Sequence, residues 1–171
     1  MKRLHLFRGL IILLVSVLLL AGGCSSGAKG ANNEAKRDEL AQAFMMDLRD
    51  SILIYRKQPQ KLADLGLVVT NDAGAQNTAL LEDFYKLYQE AREAQVTIAF
   101  YSSAPLVIAR VQIDEDGSGY YFRYVLNEDE PIGVTAKYVD KIEFSQGSDS
   151  KIQLKLLSSG KNIANFTFIP L

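Results

Sequence analysis

The chain has 171 residues, 19 basic and 20 acidic side chains, one histidine, one cysteine and no tryptophan. That length is one domain's worth, enough to bury a core. The histidine is His5 and the cysteine Cys24, so everything beyond residue 24 lacks the groups for Ser-His-Asp or Cys-His nucleophilic catalysis, for zinc sites built on His and Cys, and for disulfides.

The N-terminus carries the sharpest pattern. Lys2, Arg3 and Arg8 precede an apolar run from Leu10 to Leu20, interrupted only by Ser16, and Ala21, Gly22, Gly23 and Cys24 follow. A basic start is held on the cytoplasmic side of a membrane. The run of 11 residues is too short to span a hydrocarbon core, which takes roughly 20 helical residues. It fits the apolar region of a cleavable export signal, with small residues that admit a peptidase.

The segment Leu20, Ala21, Gly22, Gly23, Cys24 resembles the end of a bacterial lipoprotein signal. Ala21 stands where that family usually has Leu, with Leu20 one step back. The resemblance implies cleavage before Cys24, a diacylglycerol thioether on its sulfur and, in many bacteria, an acylated amine. Two or three acyl chains, palmitate among them, hold a protein stably on a membrane where one is marginal. Ser25 after the cysteine implies outer-membrane sorting where the cell has two membranes. An ordinary signal with an incidental cysteine is the plain alternative. A pilin-like leader, cut after Gly9, is another, but Leu14 stands where that family has glutamate, and Gly22, Gly23, Gly27 and Gly30 break the long helix it needs.

This reading divides the chain into a signal peptide (1–23), a lipidated flexible tether (24–33) and a single α+β domain (34–171). The mature part keeps 16 basic and all 20 acidic residues, a formal net charge of −4. Without a basic cluster it is no candidate for nucleic acid.

After the small polar residues 25–33, Asn33 is placed to cap a helix, with Glu34 in its first turn. Leu40, Phe44, Leu48, Ile52 and Tyr55 recur every three or four residues as one apolar stripe. Lys36, Arg37, Glu39, Asp47, Arg49 and Asp50 occupy the other face, and Pro59 ends the pattern. A helical turn at Lys61 to Leu65 with Gly66 as its stop, a short strand at Val68 and Val69, and a loop over Asn71, Asp72, Gly74 and Asn77 follow. A second helix, capped by Asn77 or Thr78, is expected to about Gln95, with Leu80, Phe84, Leu87, Tyr88 and Ala91 as its stripe.

From Val96 the period changes to two. Val96, Ile98 and Phe100; Val107, Ala109, Val111 and Ile113; Tyr120, Phe122, Tyr124 and Leu126; Tyr138, Ile142 and Phe144; Ile152, Leu154 and Leu156; and Ala164, Phe166 and Phe168 mark five or six strands. Gly117, Gly119, Gly147 and Gly160 in the connections point to hairpins. Alternation of this kind predicts an antiparallel sheet with one buried and one wet face. The expected fold is α+β: two N-terminal helices packed on one face of a curved antiparallel sheet of five or six strands.

Candidate sites are few. Asp114, Asp116, Ser118 and Gly119 match the first half of a calcium loop, but its twelfth position is Val125, inside a strand, so an acidic hairpin tip is the simpler reading. Glu128, Asp129 and Glu130, with Pro131 and Gly133, read as a solvated loop; a paired-carboxylate site would need two acids about 5–9 Å apart. Tyr101 with Tyr121 offers an exposed aromatic surface, and Arg110 with Arg123, sharing polar-face parity, an anion holder. No catalytic residue, cofactor or metal ligand is expected. The sequence points to a non-enzymatic envelope lipoprotein, held to the membrane by Cys24, with a binding or assembly role beside an envelope protein. The alternative is a small-ligand binding module with a pocket between helices and sheet.

Overall fold

The computed structural model describes residues 25–101, 106–126 and 131–171. The signal region and Cys24 lie outside the described residues. The chain divides into two units, Met1–Glu39 and Leu40–Leu171. Helix α1, Ser25–Asp47, begins in the first unit and ends in the second. The expected tether over 25–33 is helical backbone, the helix runs through Gly27 and Gly30, expected to break it, and it is already running at Asn33. Extending an existing helix costs far less than nucleating one.

The second unit holds the fold. From Leu40 the apolar stripe folds as the sequence dictates: Phe44, Leu48 and Ile52 are buried, and Leu40, Ala41 and Met45 flank them. At Leu48–Ile52 the helix widens to a π-helical stretch, its last bond running from the Leu53 N–H to the Leu48 carbonyl at 2.8 Å. Pro59 both ends this region and opens α2, Pro59–Asp64, where its missing N–H costs nothing at the first helical position. Gly66, at φ +83°, turns the chain into β1, Val68–Asn71, and a tight hairpin leads to β2, Gly74–Gln76.

Helix α3 spans Ala79–Gln89, shorter than the periodicity predicts. Ala91, expected in its stripe, is exposed at φ +53°. The helix stops because Ala94 and Gln95 belong to β3, Ala94–Phe100, paired with Ile113 and Gln112. Thr78 is the N-cap residue without a capping side-chain bond. Asn77, at φ +60°, donates its amide to the carbonyls of Ala63, at 2.8 Å, and Leu67, at 2.9 Å, tying α2 to the residue that leads into β1 instead.

The remaining strands are β4, Leu106–Ile113; β5, Gly119–Leu126; β6, Pro131–Val139; β7, Lys141–Gln146; β8, Ile152–Ser158; and β9, Lys161–Phe168. They form two sheets, a six-stranded one of order β2-β1-β3-β4-β5-β6 and a three-stranded one of order β7-β8-β9. The α+β class holds. The single antiparallel sheet does not: β1 runs parallel to β3, which makes the larger sheet mixed, and there are nine described strands in place of five or six. Pro131 and Gly133, expected in a loop, lie in edge strand β6, where proline costs no ladder bond if its nitrogen faces outward. The chain then bends at Asp140 and changes sheet, so the alternation from Tyr138 to Phe144 belongs to two strands.

Nor do the helices share one face. One core joins the α1 stripe and Leu62 of α2 to Val69, Ala99, Ile108, Tyr120, Phe122 and Tyr124. The other joins Leu81 and Phe84 of α3, with Ile142, Ile152, Leu154, Leu156 and Phe168 of the small sheet, to Val68, Val96, Ile98, Ala109, Val111 and Tyr121. Both faces of the larger sheet are covered, and its alternation sorts side chains between two cores. At the far edge the terminal segment bridges to β2: the Ala75 N–H donates to the Ile169 carbonyl at 2.7 Å, and the Leu171 N–H to that of Ala75 at 3.1 Å.

Candidate functional site

The four residues singled out as a binding surface are divided between the two faces. Strand pairing decides this, because directly paired residues share a face and neighbours alternate. Arg110 pairs with Phe122, and Arg123 with Ala109. Arg110 and Tyr101 therefore belong to the face under α1, and Tyr121 and Arg123 to the face under the small sheet. The two arginines do not converge.

Arg110 is not a surface cation at all. It is 6% exposed. Its Nη1 lies 2.7 Å from Asp47 Oδ2, its Nε donates to Thr97 Oγ1 at 3.1 Å, and its guanidinium carbon sits 4.7 Å from the centre of the Phe44 ring. A buried charge survives only with such partners. Asp47 and Phe44 are one helical turn apart on α1, so both reach the same guanidinium. The arrangement fixes the helix to the sheet and spends Arg110 on internal contacts rather than on an exposed anion site. Neither Asp47 nor Thr97 stood out in the sequence, since both sit at positions that read as wet.

Tyr101 also has an internal duty, donating its hydroxyl to the Arg56 carbonyl at 2.9 Å. Burial raises its pKa above the ordinary tyrosine value. Tyr121 is buried with its ring edge-on to Phe166, centroids 5.8 Å apart. Burial raises its pKa too, and the positive charge of Arg123 opposes that rise. Arg123 is exposed.

A cation the sequence reading passed over does share the face of Tyr121 and Arg123. Lys137 pairs with Tyr121, and Thr135 with Arg123. Lys137 is exposed, one diagonal step from Arg123. The signal for it was the alternation of Val134 and Ala136 with Thr135 and Lys137, hidden because Pro131 and Gly133 argued for a loop.

The acidic tip at Asp114 to Ser118 is a turn between β4 and β5. The Asp114 N–H donates to the Ser118 carbonyl at 2.8 Å, and Asp116 Oδ1 accepts the Ser118 N–H at 2.9 Å and its hydroxyl at 2.8 Å. Val125 remains in β5. Among the described residues no group of three or more His, Cys, Asp or Glu is placed to hold a metal ion, and no helix is long and apolar enough to cross a membrane. Glu128, Asp129 and Glu130 lie outside the described residues.

The fold thus defines an α+β protein of two facing sheets, with a buried clamp on one side and a small basic patch on the other. No family model, curated protein or solved structure matches the chain.

Proposed function

We propose that the protein is a bacterial envelope lipoprotein, anchored through Cys24, whose domain faces the periplasm or cell exterior and serves a non-enzymatic binding or assembly role beside an envelope protein. The observation that carries the reading is the run from Lys2 to Cys24: a basic start, an 11-residue run apolar but for Ser16, then small residues ending at the chain's one cysteine. The lack of histidine beyond His5 removes triads that use histidine as the base and metal sites that use it as a ligand, which is consistent with a non-enzymatic role.

In-cell cross-linking of the full chain, followed by membrane solubilisation and capture, tests the assembly role. A stoichiometric envelope protein is the expected result; recovery of lipid-associated background alone counts against it. A second reading, that the domain binds a small ligand, gains support from the exposed cations beside buried Tyr121.

A further inference from the structure

We infer that Arg123, Lys137 and Tyr121 form an anion site on the larger sheet, on the face that β7–β9 pack against, and that it takes a phosphate or carboxylate group. The inference rests on the ligand-binding reading above and is independent of the membrane anchor.

Three observations bring these residues together. First, pairing of β5 with β6 puts Lys137 directly across from Tyr121 and one diagonal step from Arg123; such diagonal positions lie roughly 7–8 Å apart, within reach of two long side chains converging on one group. Second, neither cation has an ion-pair partner among the described residues. The described side chains nearest them on that face are Val107, Ala109 and Val111 of β4, Val125 of β5, and Thr135 and Val139 of β6. None is acidic. The facing side chains of the small sheet, Ile152, Leu154, Leu156, Phe166 and Phe168, bring no carboxylate either. In a mature chain of net charge −4, two positive charges on an apolar floor with no described neutralising acid are a local exception.

Third, Tyr121 supplies a neutral donor. Its ring is held by Phe166, yet its hydroxyl makes no hydrogen bond to a described residue and is not a buried unsatisfied atom, so it reaches water beside Arg123. An arginine fork, an ammonium and a phenol are the groups that recognise a phosphate or carboxylate oxygen set. The apolar floor excludes some water and strengthens each contact.

The test is a titration of the full chain in detergent, followed by amide resonances. Inorganic phosphate and acetate are added at constant ionic strength with chloride as the balancing salt, and phosphatidylglycerol is doped separately into the micelles. Saturable shifts confined to β5 and β6 are expected. Arg123→Gln and Lys137→Gln should each weaken binding about tenfold, Tyr121→Phe a few-fold, and Lys161→Gln, on β9, not at all. A response to phosphate or acetate supports a free small anion, and one to phosphatidylglycerol alone supports a lipid headgroup at the same site. No saturable response to any probe, or one that survives Arg123→Gln and Lys137→Gln together, overturns the inference. Loss of membrane attachment in a Cys24→Ser chain would leave this titration unchanged, which separates the two readings.

Discussion

Asp47 Oδ2 stands 2.7 Å from Arg110 Nη1, so the carboxylate of a largely exposed aspartate neutralises the guanidinium of a buried arginine. The two sit on α1 and on β4, and this contact, with Phe44 packed on the same guanidinium, holds the helix to the sheet. Removing Asp47 strands a charge in a place with little water. Breaking a fully buried pair costs about 3–5 kcal/mol, and exposure of Asp47 screens much of that. Asp47→Ala is therefore expected to cost about 1–2 kcal/mol in urea unfolding. Adding Arg110→Met to Asp47→Ala should recover part of the loss, because methionine fills the space without a charge. An additive or worse double variant would show that Arg110 is stabilised by something other than Asp47.

Gly119 opens β5 across from Ile113, with its α-carbon against the Gln112 carbonyl. A Cβ there would lie 2.0 Å from the Gln112 carbonyl oxygen and 2.8 Å from the Ile113 Cα. These are backbone atoms of the paired strand, which cannot rotate away. Gly119→Ala should cost about 3 kcal/mol, at the upper end for overpacking. Gly117→Ala, in the neighbouring turn at φ +79° with only the Tyr88 ring at 3.6 Å, should cost about 1 kcal/mol from backbone strain alone. Thermal melts of the two variants check the order; equal losses would contradict the close approach at Gly119.

Burial raises the pKa of both Tyr101 and Tyr121. Each is neutral when protonated, so the folded state holds its proton more tightly than the unfolded chain does. The stability this contributes is fully present below the unfolded value of about 10 and is lost as pH rises through the raised folded values. Difference absorbance of phenolate formation should show a late alkaline phase. Tyr101→Phe and Tyr121→Phe should each remove part of it. Tyr101→Phe should also lose the bond to the Arg56 carbonyl, about 1 kcal/mol. A late phase unchanged in both variants would contradict the assignment.

Much of the fold was legible because period reports packing. Phe44, Leu48 and Ile52 recur on a helical spacing and are buried together. Ile152, Leu154 and Leu156 alternate and line one core. What period cannot say is what lies beyond each face. Thr97 and Arg110 alternate with apolar neighbours and so read as wet, yet α1 covers them. Tyr120 and Tyr121 are both buried, in different cores, because both faces of the larger sheet are occupied. The second sheet was hidden for a similar reason: alternation continues across the bend at Asp140, and a bend leaves no mark in a hydrophobic pattern. The candidate surface was half legible. Tyr121 and Arg123 do share a face, but parity within two strands does not say which residues meet, and the strand register puts Lys137, not Arg110, beside Arg123.

The most direct test of the proposed role is the mass of the mature N-terminus. The protein would be purified from membranes of its native host, digested, and its N-terminal peptide sequenced by mass spectrometry beside a Cys24→Ser chain. The expected result is a peptide beginning at Cys24 and carrying diacylglycerol, with membrane attachment abolished by the substitution. An unmodified Cys24, whether preceded by an uncleaved leader or following cleavage elsewhere, would contradict it.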